Sequence, residues 1–339
     1  MKSLKKNLIF LILISLIVIY IVFSYDFERT IEVLKTSKLI YIILGALVIL
    51  IGDLLKGRSI YLLVSEYSSK YKFKDAFRLT LQTNFFNGIT PFSLGGQPFQ
   101  LYLLKKRNNI DYATGSNILF KDFYCYQIGF VFISIVFFIF NLIFKFFVAD
   151  AFMGKLILVG FIINFVIALF LIYLPYTKGN YNGILLFSIN VLSRLRLIKE
   201  KQKVLDNMNE GIKKFKSQID EVKSNIGLVL KCSLLNVLKT CGMGVVAYLS
   251  FKSIDVNISI YMSVILVLFV YNMSSFVPVP GASGGVEYGF ISVFTSFLLG
   301  DVGILVSVAM IIWRFLTYYM PLIVGGVLFA VESRKLVWE

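Results

Sequence analysis

The feature that most constrains this chain is a series of apolar runs, each long enough to cross a lipid bilayer. A membrane-spanning helix needs roughly 20 such residues. The runs that meet this length cover about residues 8–25, 39–64, 117–145, 154–174, 226–250 and 302–330. Only 16% of the residues are charged, against about 25% in an ordinary soluble domain. The sequence therefore predicts an all-α polytopic integral membrane protein with about six full spans, in which residues 1–339 form a single membrane domain.

Two further apolar regions, about 76–104 and 259–299, are interrupted in the middle by proline and glycine. Loops rich in lysine and arginine stay on the cytoplasmic side of a membrane. If each interrupted region enters and leaves by the same face, 25 of the 34 lysines and arginines are cytoplasmic and six lie outside. We therefore predict two re-entrant helical hairpins, with both chain termini in the cytoplasm. The first run lacks a cleavage site and is expected to remain as an anchor.

The two interrupted regions share the motif Pro-x-x-x-Gly-Gly, at an offset of 189 residues. The residues that we predict to break the helices are Pro91, Gly95, Gly96, Pro280, Gly281, Gly284 and Gly285. With the orientation above, the two copies point in opposite directions, which is the pattern of an inverted repeat in a transporter. The first half would cover residues 1–175 and the second half residues 226–339.

Proline and glycine at these positions have a direct physical consequence. Proline removes an amide donor and glycine tolerates unusual dihedral angles, so the helical hydrogen bonding stops there. Backbone groups that are freed at membrane depth cannot face lipid and must line a cavity or be buried in protein. The broken ends are then expected to present N–H groups and a positive dipole, which together favour an anion.

Charged side chains at membrane depth are candidates for function, since a central Arg or Lys costs at least about 2.5–3.5 kcal/mol. Arg314 lies deep in the last run, with Tyr318 one turn later on the same face. Two interpretations stay open: Arg314 contacts substrate, or it pairs with Glu287 and only stabilises the fold. Lys121 follows the first hairpin as Arg314 follows the second. It either lines the same site or extends to the interface.

Other polar residues within the spans have simple local interpretations. Asp53 stands three residues before Lys56, so the two are expected to pair near the headgroups. For Lys239, lining of the cavity stays an open interpretation, although nothing near it in the sequence supports this. Asn84 and Asn87 precede the first break, where they are expected to cap a helix or to bond across helices.

The segment of about 176–225 is a basic linker on the predicted cytoplasmic side. Its apolar residues recur at spacings of three and four, with lysines between them, and these are Met208, Ile212, Phe215, Ile219 and Val222. This spacing predicts an amphipathic helix. The helix would pack on the protein or rest on anionic headgroups.

Composition removes several kinds of chemistry. The chain contains no histidine, which excludes His-ligated metals and Ser-His or Cys-His nucleophiles. We therefore expect no catalytic residues, no metal and no cofactor. The net charge of +15 follows largely from cytoplasmic lysines and arginines, so no nucleic-acid partner is expected.

Three segments, "NGITPFSLGGQPFQLYLLKKR", "VPVPGASGGVEYGF" and "RFLTYYMPLIVGG", resemble the lysylphosphatidylglycerol synthetase transmembrane family. This is the flippase-like membrane domain of the bacterial multiple peptide resistance factor. The resemblance implies a flippase of the bacterial plasma membrane that moves lysyl-phosphatidylglycerol, or a related lipid of the phosphatidylglycerol class, to the outer leaflet. Such transport would repel cationic antimicrobial peptides. By motif, Glu287 and Arg314 stand at the family's acidic and basic positions.

The sequence departs from the family pattern in two places. Relatives often carry an acidic residue after the first Gly-Gly pair, where this chain has Gln97. Full-length relatives also carry a soluble lysyl-tRNA-dependent transferase domain, and the longest predicted cytoplasmic segment here, about 176–225, is too short for one.

Substrate contacts are accordingly expected from Arg314, Glu287, Lys121, Gln97 and Tyr318. The alternatives are a phosphatidylglycerol lysyltransferase and a membrane partner of a separate aminoacyl-lipid synthase or glycosyltransferase. Homo-oligomerisation is left open.

Overall fold

A computed structural model of the chain describes residues 27–91, 95–145, 151–173, 222, 224–275, 277–298 and 302–337. The helices are α1 (Phe27–Thr36), α2 (Leu39–Ser65), α3 (Phe73–Gly88), α4 (Gly96–Asn108), α5 (Tyr112–Phe144), α6 (Ala151–Tyr173), α7 (Ile226–Ser253), α8 (Ile260–Ser274), α9 (Gly285–Leu298), α10 (Gly303–Arg314) and α11 (Met320–Val337). A π-helical turn, Phe315–Tyr319, joins α10 to α11. Within the described residues there is no strand, so the all-α prediction is confirmed.

Among the described residues, five helical segments are long and apolar enough to cross a bilayer: α2, α5, most of α6, α7 and the continuous helix from Gly303 to Glu332. Each corresponds to a run that the sequence predicts as a span, which confirms a polytopic membrane protein. The predicted first span, about 8–25, lies outside the described residues, as does nearly all of the linker 176–225. The total number of spans and their orientation stay predictions.

The two interrupted regions form helical hairpins. In the first, α3 and α4 pack antiparallel, and the rings of Phe86 and Phe99 stack with centroids 3.9 Å apart. In the second, α8 and α9 lie so close that a Cβ added to Gly289 would come within 2.5 Å of the Met273 side chain. Each hairpin turns back at the predicted Pro/Gly break. Whether the hairpins enter a membrane from opposite faces stays a prediction.

The helices after α1 form two series in the same order and with similar lengths. Helices α2 and α7 have 27 and 28 residues, α3 and α8 have 16 and 15, and α4 and α9 have 13 and 14. Helices α2 and α7 pack antiparallel, because Gly45 lies against Val246 at one end and Ser59 against Cys232 at the other. An inverted repeat requires equivalent helices to run in this way, but the repeat itself stays a prediction.

The largest group of buried apolar residues lies between α7, α8, α9 and α10. Trp313 is fully buried there, and its indole N–H donates to the Met243 carbonyl of α7 at 2.9 Å. Aromatic rings of α7 and α9, from Phe251, Phe290 and Phe294, pack around it or against one another. This packing holds α10 rigidly against the second hairpin and so positions the next residue, Arg314.

Candidate functional site

A polar cavity of about 550 Å³ lies between the two hairpins. Every helix from α2 to α10 contributes to its lining. Amide side chains such as Gln97, Gln127 and Asn164 form part of the wall, and the charged side chains of Lys56 and Arg314 form another part. Hydroxyl groups of serine and threonine complete the polar surface. Such a lining differs sharply from the apolar outer faces of the same helices.

A smaller cavity of about 200 Å³ adjoins the first. The residues that line both cavities, and therefore stand between them, are Asn84, Asn87, Lys239, Met243, Gly281 and Arg314. Tyr318 lines only the smaller cavity. The predicted break at Gly281 thus lies directly on the boundary between the two spaces.

The depth of the cavity follows from an ion pair between α2 and α7. The Nζ atom of Lys239 lies 2.9 Å from Oδ1 of Asp53, and the same oxygen accepts from Nδ2 of Asn84 at 3.1 Å. Asp53 and Lys239 each lie near the midpoint of a helix that is long enough to span a bilayer. The pair therefore lies near the membrane centre, where unpaired charges are costly.

Arg314 forms the charged centre of the second break. Its Nε lies 2.7 Å from Oε1 of Glu287, and its Nη2 donates to the Gly281 carbonyl at 2.7 Å and to the Ser283 hydroxyl at 3.4 Å. The guanidinium carbon lies 4.3 Å from the centroid of the Tyr318 ring. Nη1 has no hydrogen-bond partner among the described residues. Arg314 therefore pairs with Glu287 and also borders both cavities, while its contact with substrate stays a prediction.

Glycine is required at the second break for two reasons. Gly281 and Gly284 have φ angles of +60° and +88°, a conformation that costs other residues roughly 1–2 kcal/mol. A Cβ on Gly281 would also lie 2.2 Å from the Tyr318 ring. The Gly284 amide donates to Oε2 of Glu287 at 2.6 Å. Glu287 thus stabilises the start of α9 while it holds Arg314.

Among the described residues of the first break, two backbone amides find side-chain acceptors close by. The Gly95 amide donates to the Thr90 hydroxyl at 2.8 Å, and the Gly96 amide donates to Oδ1 of Asn87 at 2.9 Å. The sequence predicts exposed amides at these broken ends, but the structure satisfies those of Gly95, Gly96 and Gly284 internally. The physical reason is that a buried N–H without a partner is costly. These three amides are therefore not available to an anion in the cavity.

The other predicted site residues occupy different places. Gln97 is exposed at the start of α4 and lines the larger cavity. Lys121 is not among the lining residues; its Nζ lies 2.8 Å from Oε2 of Glu66 and 5.1 Å from the Tyr67 ring. Lys121 thus joins α5 to the end of α2. Its contact with substrate stays a prediction.

Sequence reasoning missed how the charges of α2 are paired. Lys56 bonds Asp122 of α5 at 2.6 Å and Asn236 of α7 at 3.1 Å, rather than its helical neighbour Asp53. Asp53 instead pairs with Lys239, for which the sequence offered no partner. No local pattern signals either pairing, because both depend on how α2 packs against α5 and α7.

Comparison with known protein families gives a match over most of the chain. A family model described as "Lysylphosphatidylglycerol synthase TM region" matches residues 8–325 of the chain. The matched range contains both hairpins, all the lining residues of the two cavities and the ion pairs described above. No curated protein matches the chain.

Proposed function

The chain belongs to the lysylphosphatidylglycerol synthase transmembrane family, and on this basis we propose that it is a lipid translocase. A phospholipid headgroup would cross the membrane through the polar cavity between the hairpins. The substrate would be lysyl-phosphatidylglycerol or a related lipid of the phosphatidylglycerol class. In a bacterial plasma membrane with both termini cytoplasmic, this transport would contribute to resistance against cationic antimicrobial peptides.

The observation that carries the proposal is a polar cavity at the depth of the bilayer centre. A charged headgroup cannot enter hydrocarbon without a large cost in free energy. The cavity of about 550 Å³ falls within the roughly 300–1,000 Å³ that is usual for ligand sites. It therefore has room for a headgroup, while the acyl chains would remain in the surrounding bilayer.

The charges around the cavity suit a lipid phosphate. Arg314 keeps one nitrogen, Nη1, without a partner among the described residues, and its side chain borders both spaces. In the proposal, Arg314 binds the phosphate while Glu287 keeps the guanidinium in place. Movement of one hairpin against the other would then alternate access between the leaflets, as in other transporters with broken helices.

The direct test is lipid flipping in proteoliposomes. Purified protein is reconstituted with fluorescent phosphatidylglycerol or fluorescent lysyl-phosphatidylglycerol, and the loss of inner-leaflet protection from a membrane-impermeant quencher is followed. Thr240→Phe fills the larger cavity, which Thr240 lines. Leu238→Phe adds a ring on the same helix at a side chain that is 48% exposed on the outer face.

The proposal requires flipping of at least one of the two lipids well above empty liposomes. Thr240→Phe is expected to slow it at least tenfold, and Leu238→Phe to leave it within twofold of the unsubstituted protein. Flipping of neither lipid, or equal rates in Thr240→Phe and the unsubstituted protein, would contradict the proposed function.

A further inference from the structure

Two lysines line the larger cavity in addition to Arg314. The side chains of Lys56 and Lys239 are 19% and 20% exposed, whereas that of Lys121, which lies off the cavity, is 5% exposed. Both cavity lysines belong to helices that cross the bilayer by length and composition. A lysine that remains accessible from a cavity at this depth can meet a ligand without any helix moving.

The two lysines lie at neighbouring positions along the interface between α2 and α7. Lys56 contacts Asn236 of α7, and Lys239 of α7 contacts Asp53 of α2. Within each helix the two contacting positions are three residues apart, which corresponds to about 4.5 Å along the helix axis. Along the helix axis the two lysines are therefore close neighbours, one on each helix.

The lysines and Arg314 follow one another along the two cavities. Lys56 lines only the larger cavity, whereas Lys239 and Arg314 line both. The order from the C-terminal half of α2 to the second break is thus Lys56, Lys239, Arg314. No helix separates the three positions, because all three side chains line the larger cavity.

Each lysine retains at least one N–H donor for a further acceptor. A lysine ammonium has three N–H donors. Within the described part of the chain, Lys239 uses one donor for Asp53, and Lys56 uses two for Asp122 and Asn236. An oxyanion in the cavity can therefore bind either lysine without first displacing the carboxylate.

From these contacts we propose that Lys56 and Lys239 are successive binding positions for the phosphate of a lipid headgroup on its way to Arg314. Asp53 and Asp122 hold the two lysines in place and keep the buried charge balanced when no headgroup is present. The inference rests on the proposed function and adds the route that the phosphate follows.

The test removes each ion pair as a whole, because deleting one partner would leave a buried charge without compensation. The cavity variants are Asp53→Asn with Lys239→Met, and Lys56→Met with Asp122→Asn. The matched control is Arg107→Met with Glu332→Gln, which removes a similarly exposed ion pair between α4 and α11 whose residues line neither cavity. Thermal unfolding in detergent confirms that each variant folds.

Two quantities are measured for every variant: the flipping rate in proteoliposomes and the binding of dihexanoyl phosphatidylglycerol to detergent-solubilised protein. Each cavity variant is expected to flip and to bind at least tenfold more weakly, and the control to stay within twofold. Inorganic phosphate is titrated in parallel and is expected to bind far more weakly than the lipid. Equal affinity for both would show a site for free phosphate and would overturn the inference.

The two proposals fail in different ways. If the unsubstituted protein binds the short-chain lipid but flips none, the proposed function fails, and loss of binding in the cavity variants still supports the lysine positions. Cavity variants that bind and flip as the unsubstituted protein does would overturn the inference alone. An equal loss in the control would also overturn it.

A conservative substitution covers the case in which a double variant does not fold. Lys239→Arg keeps the ion pair with Asp53, and a guanidinium can bind phosphate through two nitrogens. It is expected to bind dihexanoyl phosphatidylglycerol at least threefold more tightly. Unchanged affinity would contradict the assignment of Lys239 to the phosphate route.

Discussion

The hydroxyl group of Tyr318 donates a hydrogen bond of 2.9 Å to the backbone carbonyl of Gly88. Gly88 ends the first arm of the first hairpin, whereas the Tyr318 ring lies over Arg314 and against Gly281 of the second break. One side chain in the π-helical turn therefore contacts both broken regions. Unusual helical turns of this kind are frequent at functional sites.

Removing the Tyr318 hydroxyl tests this connection. Tyr318→Phe keeps the ring over Arg314 but leaves the buried Gly88 carbonyl without this donor, which costs about 1–3 kcal/mol. We expect a lower melting temperature in detergent than for the unsubstituted protein. Tyr319→Phe, at the half-buried neighbouring position, is the control and should have little effect. Equal melting temperatures for the two variants would contradict a structural role of the bond.

Alanine substitutions at the glycines of the second break distinguish the effect of steric overlap from that of backbone strain. Gly281→Ala suffers both, because its φ is +60° and its Cβ would overlap the Tyr318 ring. Gly284→Ala suffers strain alone, since nothing lies within 4 Å of its Cβ, and should cost about 1–2 kcal/mol. Gly303→Ala has neither problem and serves as the control. Unfolding measurements should rank the losses in stability in that order, and any other ranking would count against the geometry of the break.

The buried pair of Glu287 and Arg314 should show strong coupling. Both side chains are less than a tenth exposed, and removal of one partner from such a pair typically costs about 3–5 kcal/mol. Glu287→Gln should therefore be severely destabilised, although Gln keeps an oxygen for the Gly284 amide. Adding Arg314→Met should recover part of the loss. A double-mutant cycle by denaturant unfolding measures the coupling, and purely additive losses would show that the pair contributes nothing.

Helices α6 and α8 approach each other very closely at Gly160. A Cβ on Gly160 would lie 1.9 Å from the Asn272 carbonyl oxygen, so Gly160→Ala must push the two helices apart. Close approach at small residues is a usual feature of packed membrane helices. The control is Gly227→Ala, whose Cβ would meet its nearest atom only at 4.0 Å. We expect a marked fall in melting temperature for Gly160→Ala alone, and two similar values would refute the close contact.

The predicted orientation is tested by cysteine labelling in cells. In a variant without its three native cysteines, Lys106→Cys should lie in the cytoplasm and Asn257→Cys outside. Lys106 is exposed in the last turn of α4, and Asn257 is exposed in the loop between α7 and α8. A membrane-impermeant maleimide should label Asn257→Cys in intact cells and Lys106→Cys only after permeabilisation. The reverse pattern would invert the whole arrangement.

The helices, their approximate ends and the two breaks were predictable from the sequence because they depend on local properties. Apolar length decides which segments can span a bilayer, and proline and glycine decide where a helix stops. The need of Arg314 for a polar partner was also predictable, since a charge within an apolar run is costly wherever it lies. Even its pairing with Glu287 was one of two interpretations.

The partners of the other charges were decided only by the tertiary structure. Local spacing favoured a pair between Asp53 and Lys56, yet the packing of α2 against α5 and α7 gives each of them a different partner. The amides of the first break likewise find Thr90 and Asn87. Periodicity and composition determine which faces are apolar and where helices end. The packing of distant helices determines which charges meet, because a buried charge is stabilised only by the groups that the fold brings within a few ångströms.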